Sequence, residues 1–289
     1  MNKKPYLITT SCDKKYGDFL IEHWFFSLQK NVDLSKIDIL VLDYGLSKAQ
    51  SFYLKNHNVL VKECKKDGHV VNLRFRDLLD FLNQNFYEQI LMCDGGDIIF
   101  QADISFLFEE NKDSFRAVCE NVPPFFDYFL RTSTFYRSKI RDIKELLSLK
   151  TRTINAGFII APYEKMKFLC SEFVSIVKNF SKFWTDQIVI NYVFYREGFV
   201  ELQEKYNFTL GTHCKEFEIK NEVFFSKEGD LIPVVHNTGW IDLFRPVKNF
   251  GFLSTQSVKV RISFFLRLFF LFISRVSLWM KNDSLKTKC

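Results

Sequence analysis

The chain has 289 residues, 47% of them hydrophobic and 26% charged, enough to bury one large core, too short for more than two ordinary domains, and unlike disordered or collagen-like sequence. Its formal net charge is +6, and the stretch from residue 257 onward carries that excess, with Lys259, Arg261, Arg267, Arg275, Lys281, Lys286 and Lys288 against Asp283 alone. The rest is balanced, which argues against a nucleic-acid-binding body.

Apolar runs alternate with amphipathic stretches from the start, the rhythm of an α/β domain with a largely parallel sheet. Met1 to Pro5 pass straight into Tyr6-Leu7-Ile8-Thr9-Thr10 without the long apolar stretch of a signal peptide. The seven cysteines (Cys12, Cys64, Cys93, Cys119, Cys170, Cys214 and Cys289) are scattered with no zinc spacing, which suits a reducing compartment. The expected location is the cytoplasm. Strands are predicted over 6–10, 37–42, 59–62 and 89–93, with helices over 19–29, 48–55 and 73–86 between them. In the last helix Phe75, Leu78, Leu79, Leu82 and Phe86 recur at helical spacing and are expected to face the sheet. Further strands are predicted over 115–119, 156–160 and 231–236, with helices over 163–177 and 186–195. Residues 122–153, containing Pro123-Pro124, break the rhythm and read as a lid or acceptor-facing insertion. With no internal repeat and no flexible linker, the division is a domain over 1–250 and a tail over 251–289.

The predicted strand ending at Cys93 runs into Asp94-Gly95-Gly96-Asp97 and then returns to apolar residues at Ile98-Ile99-Phe100. Ligands of open α/β sheets collect beyond the carboxyl ends of strands, and two carboxylates there suit a hard divalent cation shared with substrate phosphates. The paired glycines allow a sharp backbone turn. The plain alternative is a polar turn at a strand end. His236 ends a second apolar run, followed by Arg245-Pro246. An imidazole added to two carboxylates shifts the expected ion from Mg²⁺ toward Mn²⁺, although a lone histidine is more often a structural hydrogen-bonder. Arg245 or Lys248 is placed to meet a diphosphate.

The ordered set of Asp94-x-x-Asp97, Asn155-Ala156-Gly157, Asp186-Gln187 and His236-x-x-Gly239 with a downstream Arg-Pro resembles the glycosyltransferases of family 8, which include glycogenin and bacterial lipooligosaccharide galactosyl- and glucosyltransferases. The resemblance covers roughly residues 5–250. It implies a GT-A, Rossmann-like nucleotide-diphospho-sugar transferase fold and a metal-dependent transfer of a hexose from a UDP-sugar to a surface glycan or lipid-linked oligosaccharide, with retention of configuration. Carried over by position, Asp94, Asp97 and His236 are the metal ligands, for Mn²⁺ or alternatively Mg²⁺. Thr9, Thr10, Ser11, Asp43 and Arg76 contact the donor, with Arg74 close enough to compete with Arg76. Asn155 and the Ala156-Gly157 backbone line the sugar pocket, Gly239 belongs to the substrate- and donor-binding set, and Asp186 and Gln187 lie near the anomeric carbon.

Three features depart from the family pattern. Two residues rather than one separate the acids, leaving open whether Asp94 touches the metal; Arg245 stands for the family's lysine; and Val247 replaces a tryptophan. Each carried-over residue also has a structural alternative: Asn155 as a turn former, Asp186 as a helix N-terminal acid, and the Thr9-Thr10-Ser11 run as a helix cap. Two rival functions stand beside the main one. A sugar nucleotidyltransferase would need a glycine-rich phosphate loop that Ser11-Cys12-Asp13-Lys14-Lys15 lacks. A non-catalytic membrane-bound scaffold would bind UDP-sugar weakly or not at all.

In the tail, the longest stretch without a charge is residues 268–274, far short of the ~20 apolar residues a spanning helix needs. A basic, aromatic-rich helix is predicted instead, lying in the headgroup layer of an anionic membrane and holding the protein at the inner face of the cytoplasmic membrane. The alternative is a helix docked on the domain or on a second subunit.

Overall fold

The apolar runs form strands buried on both faces, which requires a helical layer on each side of the sheet. The computed structural model describes residues 3–120, 135–150, 152–211, 217–239, 245–254 and 257–260. Its strands in chain order are β1 (Tyr6–Cys12), β2 (Ile37–Asp43), β3 (Leu60–Glu63), β4 (Gln89–Cys93), β5 (Ile98–Phe100), β6 (Phe115–Glu120), β7 (Thr153–Pro162), β8 (Phe199–Glu201), β9 (Phe208–Thr209), β10 (Phe217–Lys220), β11 (Val223–Ser226), β12 (Val234–His236), β13 (Val247–Lys248) and β14 (Lys259–Val260). Seven of them make the main sheet in the order β3-β2-β1-β4-β7-β6-β8. Within it β7 runs antiparallel to β4 and β6, and the other pairings are parallel.

Side chains alternate across this sheet with period two. Leu7, Leu40, Leu42, Ile90 and Met92 pack with the helices Val70–Leu82 and Tyr163–Ile176. Ile8, Ile39, Val41, Leu91 and Cys93 pack with Trp24 and Leu28 on the other face. A smaller sheet, β5-β12-β9, lies beyond the carboxyl end of β4, with β12 antiparallel to β5 and parallel to β9. The β10–β11 hairpin and the β13–β14 pair help cover its apolar residues, Phe224 and Val247 packing in one cluster with Ile99 and Val235.

Several elements differ from the sequence expectation. The helix expected over 73–86 is Val70–Leu82, so Phe86 falls beyond it and is 60% exposed instead of facing the sheet. Its start is drawn forward because the His69 amide and the Asn72 side chain both donate to the Phe180 carbonyl, at 2.9 and 2.8 Å. The strand expected over 231–236 is only Val234–His236, with Leu231 bridging to Phe225 instead. Part of the expected lid, residues 122–134 and 151, lies outside the described residues. The helix Arg137–Ser148 in the same stretch instead buries Ile143 and Leu147 in the main core. The first tail residues do not form a helix, since Lys259–Val260 pairs with Val247–Lys248; residues 261–289, and with them the predicted membrane helix, lie outside the described residues. No described helix is long and apolar enough to cross a membrane.

One buried side chain joins the helix Thr185–Glu197 to β7. Asn191 accepts from the Ile154 amide at 2.8 Å and donates to the Ile154 and Gln187 carbonyls at 2.9 and 2.7 Å. Leucine at this position leaves that amide without its partner, so Asn191→Leu is expected to destabilise the protein by about 1–3 kcal/mol, read as a lower urea midpoint with an unchanged m-value.

Candidate active site

The turn after β4 and the end of β12 meet at one place because the main and small sheets share a boundary. His236 pairs with Ile98 in the β12–β5 register, and the Asn237 amide donates to the Asp97 carbonyl at 2.8 Å. On the other side the Asp94 amide donates to the Gly157 carbonyl of β7 at 2.9 Å. These backbone ties place Asp94, Asp97 and His236, far apart in the chain, around a common space, with their ligand atoms all within 4.8 Å of one another.

The two carboxylates divide their oxygens in the same way. Asp94 gives Oδ1 to the Arg74 guanidinium at 2.5 Å and turns Oδ2 toward His236 Nε2 at 3.7 Å. Asp97 gives Oδ2 to Arg245 at 3.0 Å and turns Oδ1 toward the same nitrogen at 3.3 Å. His236 Nδ1 lies 2.9 Å from Asn207 Oδ1, so Asn207 occupies the far nitrogen and leaves Nε2 for the carboxylates. Ions of Mg²⁺ size bind oxygen at about 2.1 Å, which puts adjacent ligands about 3 Å apart. The donor set and its spacing therefore suit a small divalent cation, and Asp94 turns an oxygen to the same space as Asp97.

Charge inside the cluster is tightly balanced. Burial opposes ionisation of Asp97, but His236 and the guanidiniums of Arg245 and Arg74 outweigh it and hold the carboxyl below its usual range. Burial likewise opposes a charged His236, yet Asp97, Asp94 and Glu120 raise its pKa above the ordinary value. Asp186 behaves differently. Burial dominates there and pushes its pKa up to about 6, even with the Arg74 guanidinium 3.1 Å away.

Glycine is required here for space. A Cβ on Gly157 would sit 2.4 Å from His236 Cε1 and 2.8 Å from Asp94 Oδ2, and one on Gly95 would sit 2.5 Å from Thr10 Oγ1. The chain bends over residues 95–97, as expected, but neither Gly95 nor Gly96 has a positive φ, so what glycine supplies there is room for close packing. The register of β7 against β6 shifts between Ala117 and Cys119. Around this irregularity side chains take up backbone groups of β7: the Ala156 carbonyl accepts from Arg74 at 3.1 Å and the Ala156 amide donates to Gln187 Oε1 at 3.1 Å.

The remaining expected residues divide. Thr9 and Thr10 are buried within β1, their hydroxyls without a hydrogen-bond partner among the described residues, and do not cap a helix. Ser11, half-buried, ends the same run. Asn155 is buried and accepts from the Gly157 amide at 2.8 Å. Gly239 lets the Arg245 backbone approach, its absent Cβ lying 2.8 Å from that amide nitrogen. Arg76 points away from the cluster, tied to Asp67 and Asp77 at 2.7 and 3.0 Å; Arg74, two residues earlier, is the guanidinium that turns to the cluster, on Asp94 and Asp186. Asp43 spends Oδ1 on the amides of Gly45 and Leu46, at 2.8 and 2.7 Å. Gln187, expected beside the anomeric carbon, has its amide held by β7, with Nε2 donating to the Ile154 carbonyl. Lys248 is exposed on β13. Asn207 and Glu120 were not anticipated, and nothing in their local sequence marks them. Tyr16 was also missed: its ring lies under Gly96 and 5.2 Å from the Arg245 guanidinium.

No protein-family model matches the chain, and no curated protein matches it. Solved structures do. The apo structure of the bifunctional glycosyltransferase WbbM is similar with a TM-score of 0.54 at 17% identity, covering 83% of this chain and 46% of that one. The galactosyltransferase LgtC in complex with donor and acceptor sugar analogs gives 0.52 at 15% identity, covering 81% and 87%. The apo glycosyltransferase GlyE of Streptococcus pneumoniae TIGR4 gives 0.52 at 18%, covering 87% and 57%. This chain thus spans under half the length of WbbM and somewhat over half that of GlyE. The fold is the mixed α/β GT-A fold of these glycosyltransferases, as the family resemblance implied.

Gly157→Ala is expected to keep the far-UV circular dichroism of the protein while weakening divalent-cation binding at the cluster by about 10-fold or more, as displaced ligand geometry does, measured by isothermal titration calorimetry.

Proposed function

We propose that the protein is a metal-dependent glycosyltransferase that moves a hexose from a UDP-sugar to a glycan or lipid-linked acceptor with retention of configuration. The observation that carries this reading is the convergence of Asp94 Oδ2, Asp97 Oδ1 and His236 Nε2 while arginines hold the other carboxylate oxygens. The fold shared with LgtC, a galactosyltransferase solved with donor and acceptor sugar analogs, supports it.

Asp94, Asp97 and His236 would hold Mn²⁺ or Mg²⁺, which would supply positive charge for the diphosphate leaving group. Arg245, braced on the Gly96 carbonyl at 3.2 Å and on Asp97, adds a guanidinium to the same leaving group. Thr9 and Thr10 offer buried hydroxyls on the donor side. Asp186 supplies negative charge for the developing ring cation, and Arg74 holds Asp186 and Asp94 in one frame. Gln187 and Asn155 act on the sugar pocket through the backbone of β7.

A panel of UDP-glucose, UDP-galactose and their N-acetyl forms tests the reaction. Hydrolysis or transfer with at least one donor is expected to stop in chelator and return with Mn²⁺. Asp97→Ala and His236→Ala are each expected to lose about 100-fold or more while remaining folded. Full turnover in chelator overturns the metal assignment.

Membrane attachment through the basic tail, at the inner face of the cytoplasmic membrane, is part of the same proposal and rests on the composition of residues 261–289. Truncation after Val260 is expected to abolish co-sedimentation with anionic phosphatidylglycerol vesicles and to spare donor hydrolysis. Undiminished vesicle binding removes the tail from the account.

A further inference from the structure

We propose that Asn207 is a positioning residue that holds the neutral His236 ring in its Nδ1–H form, keeping the Nε2 lone pair aimed at the space between Asp94 and Asp97. The inference deepens the metal-dependent reading above and rests on it for its functional meaning; its structural part stands on hydrogen-bond direction alone.

That direction follows from a backbone group whose polarity admits no choice. The Gly157 amide can only donate, and it lies 2.8 Å from one side-chain atom of Asn155, which must therefore be Oδ1. Asn207 presents an atom 2.9 Å from that same oxygen, and this atom must be the donor Nδ2. The other end of the Asn207 amide is then Oδ1, an acceptor, 2.9 Å from His236 Nδ1. An acceptor at this nitrogen requires that it carry the proton, so in the neutral ring Nε2 is bare. At the opposite end the free sense of Asn155 agrees, since its Nδ2 donates to the Glu120 carboxylate.

The fold supports the contact on both sides. Asn207 ends the short helical turn Glu204–Asn207 and is fully buried. Two residues later Thr209 pairs with His236 in the β9–β12 register, and the Leu210 amide donates to the His236 carbonyl at 2.9 Å. The backbone that carries Asn207 is thus fastened to the backbone that carries the imidazole. Metal-binding histidines commonly donate their second ring N–H to such a partner, and its loss typically costs 10–100-fold in metal affinity.

The test begins with the metal-free protein. Long-range ¹⁵N–¹H correlation spectra of the His236 ring, recorded at a pH high enough for the ring to be neutral, are expected to show the proton on Nδ1. A neutral ring with its proton on Nε2 overturns the proposal outright, without any variant. Asn207→Leu removes the acceptor and is expected to move the ring toward the Nε2–H form and to weaken Mn²⁺ binding about 10–100-fold. Asn207→Asp restores an acceptor and is expected to recover the Nδ1–H signature and most of the Mn²⁺ affinity. A folded leucine variant with the wild-type ring spectrum and affinity overturns the assignment, as does an aspartate variant that recovers neither. If the wild-type ring is Nδ1–H but the protein binds no Mn²⁺, the metal reading falls and the tautomer assignment survives.

Discussion

Two carboxylates and an imidazole share one partly buried space, and the rest of the site is arranged around keeping them there. Like charges at such distances repel by several kcal/mol even at the effective dielectric of a protein surface, and each buried ion carries a desolvation cost of several more. Arg74 and Arg245 offset this from opposite sides, one through each carboxylate. Buried ion clusters of this kind are weak contributors to stability, so stability alone does not account for the arrangement. The arginines take one oxygen from each acid and leave the other facing His236.

The backbone makes the meeting possible. The antiparallel β7 passes beside the end of β4, and a side chain at residue 157 would occupy the position of the His236 ring. Where the pairing of β7 with β6 shifts, neighbouring side chains satisfy the strand instead: Gln187, Asn191 and Arg74 reach Ile154 and Ala156. Polar side chains drawn from two helices thereby brace the same few residues of β7. A site assembled on a strand held in this way is better preorganised than one carried by loops.

Much of this was legible in the chain. The run ending in Asp94-Gly95-Gly96-Asp97 and the run ending in His236 both stop where polar groups take over from apolar ones, and strand ends in α/β sheets are where ligands gather. The choice between Arg74 and Arg76 was not legible. Residues two apart on a helix point about 200° apart, and only the packing of Val70–Leu82 on the sheet decides which guanidinium turns inward. Gln187 shows the same limit: it lies beside Asp186 in the chain, yet its amide is spent on the backbone of β7.

Alternation of apolar and polar residues, a local property, determined the strands, most of the helices and the strand-end acids, because each depends on residues only a few positions apart. The partners of those acids came from elsewhere. Asn207 reaches His236 because β9 and β12 pair in one register, and Arg245 reaches Asp97 across 148 positions of chain. Hydrogen-bond direction and the room left by a missing Cβ are properties of groups brought together by folding. The tertiary structure alone could decide them, since no periodicity along the chain records which distant atoms will share a space.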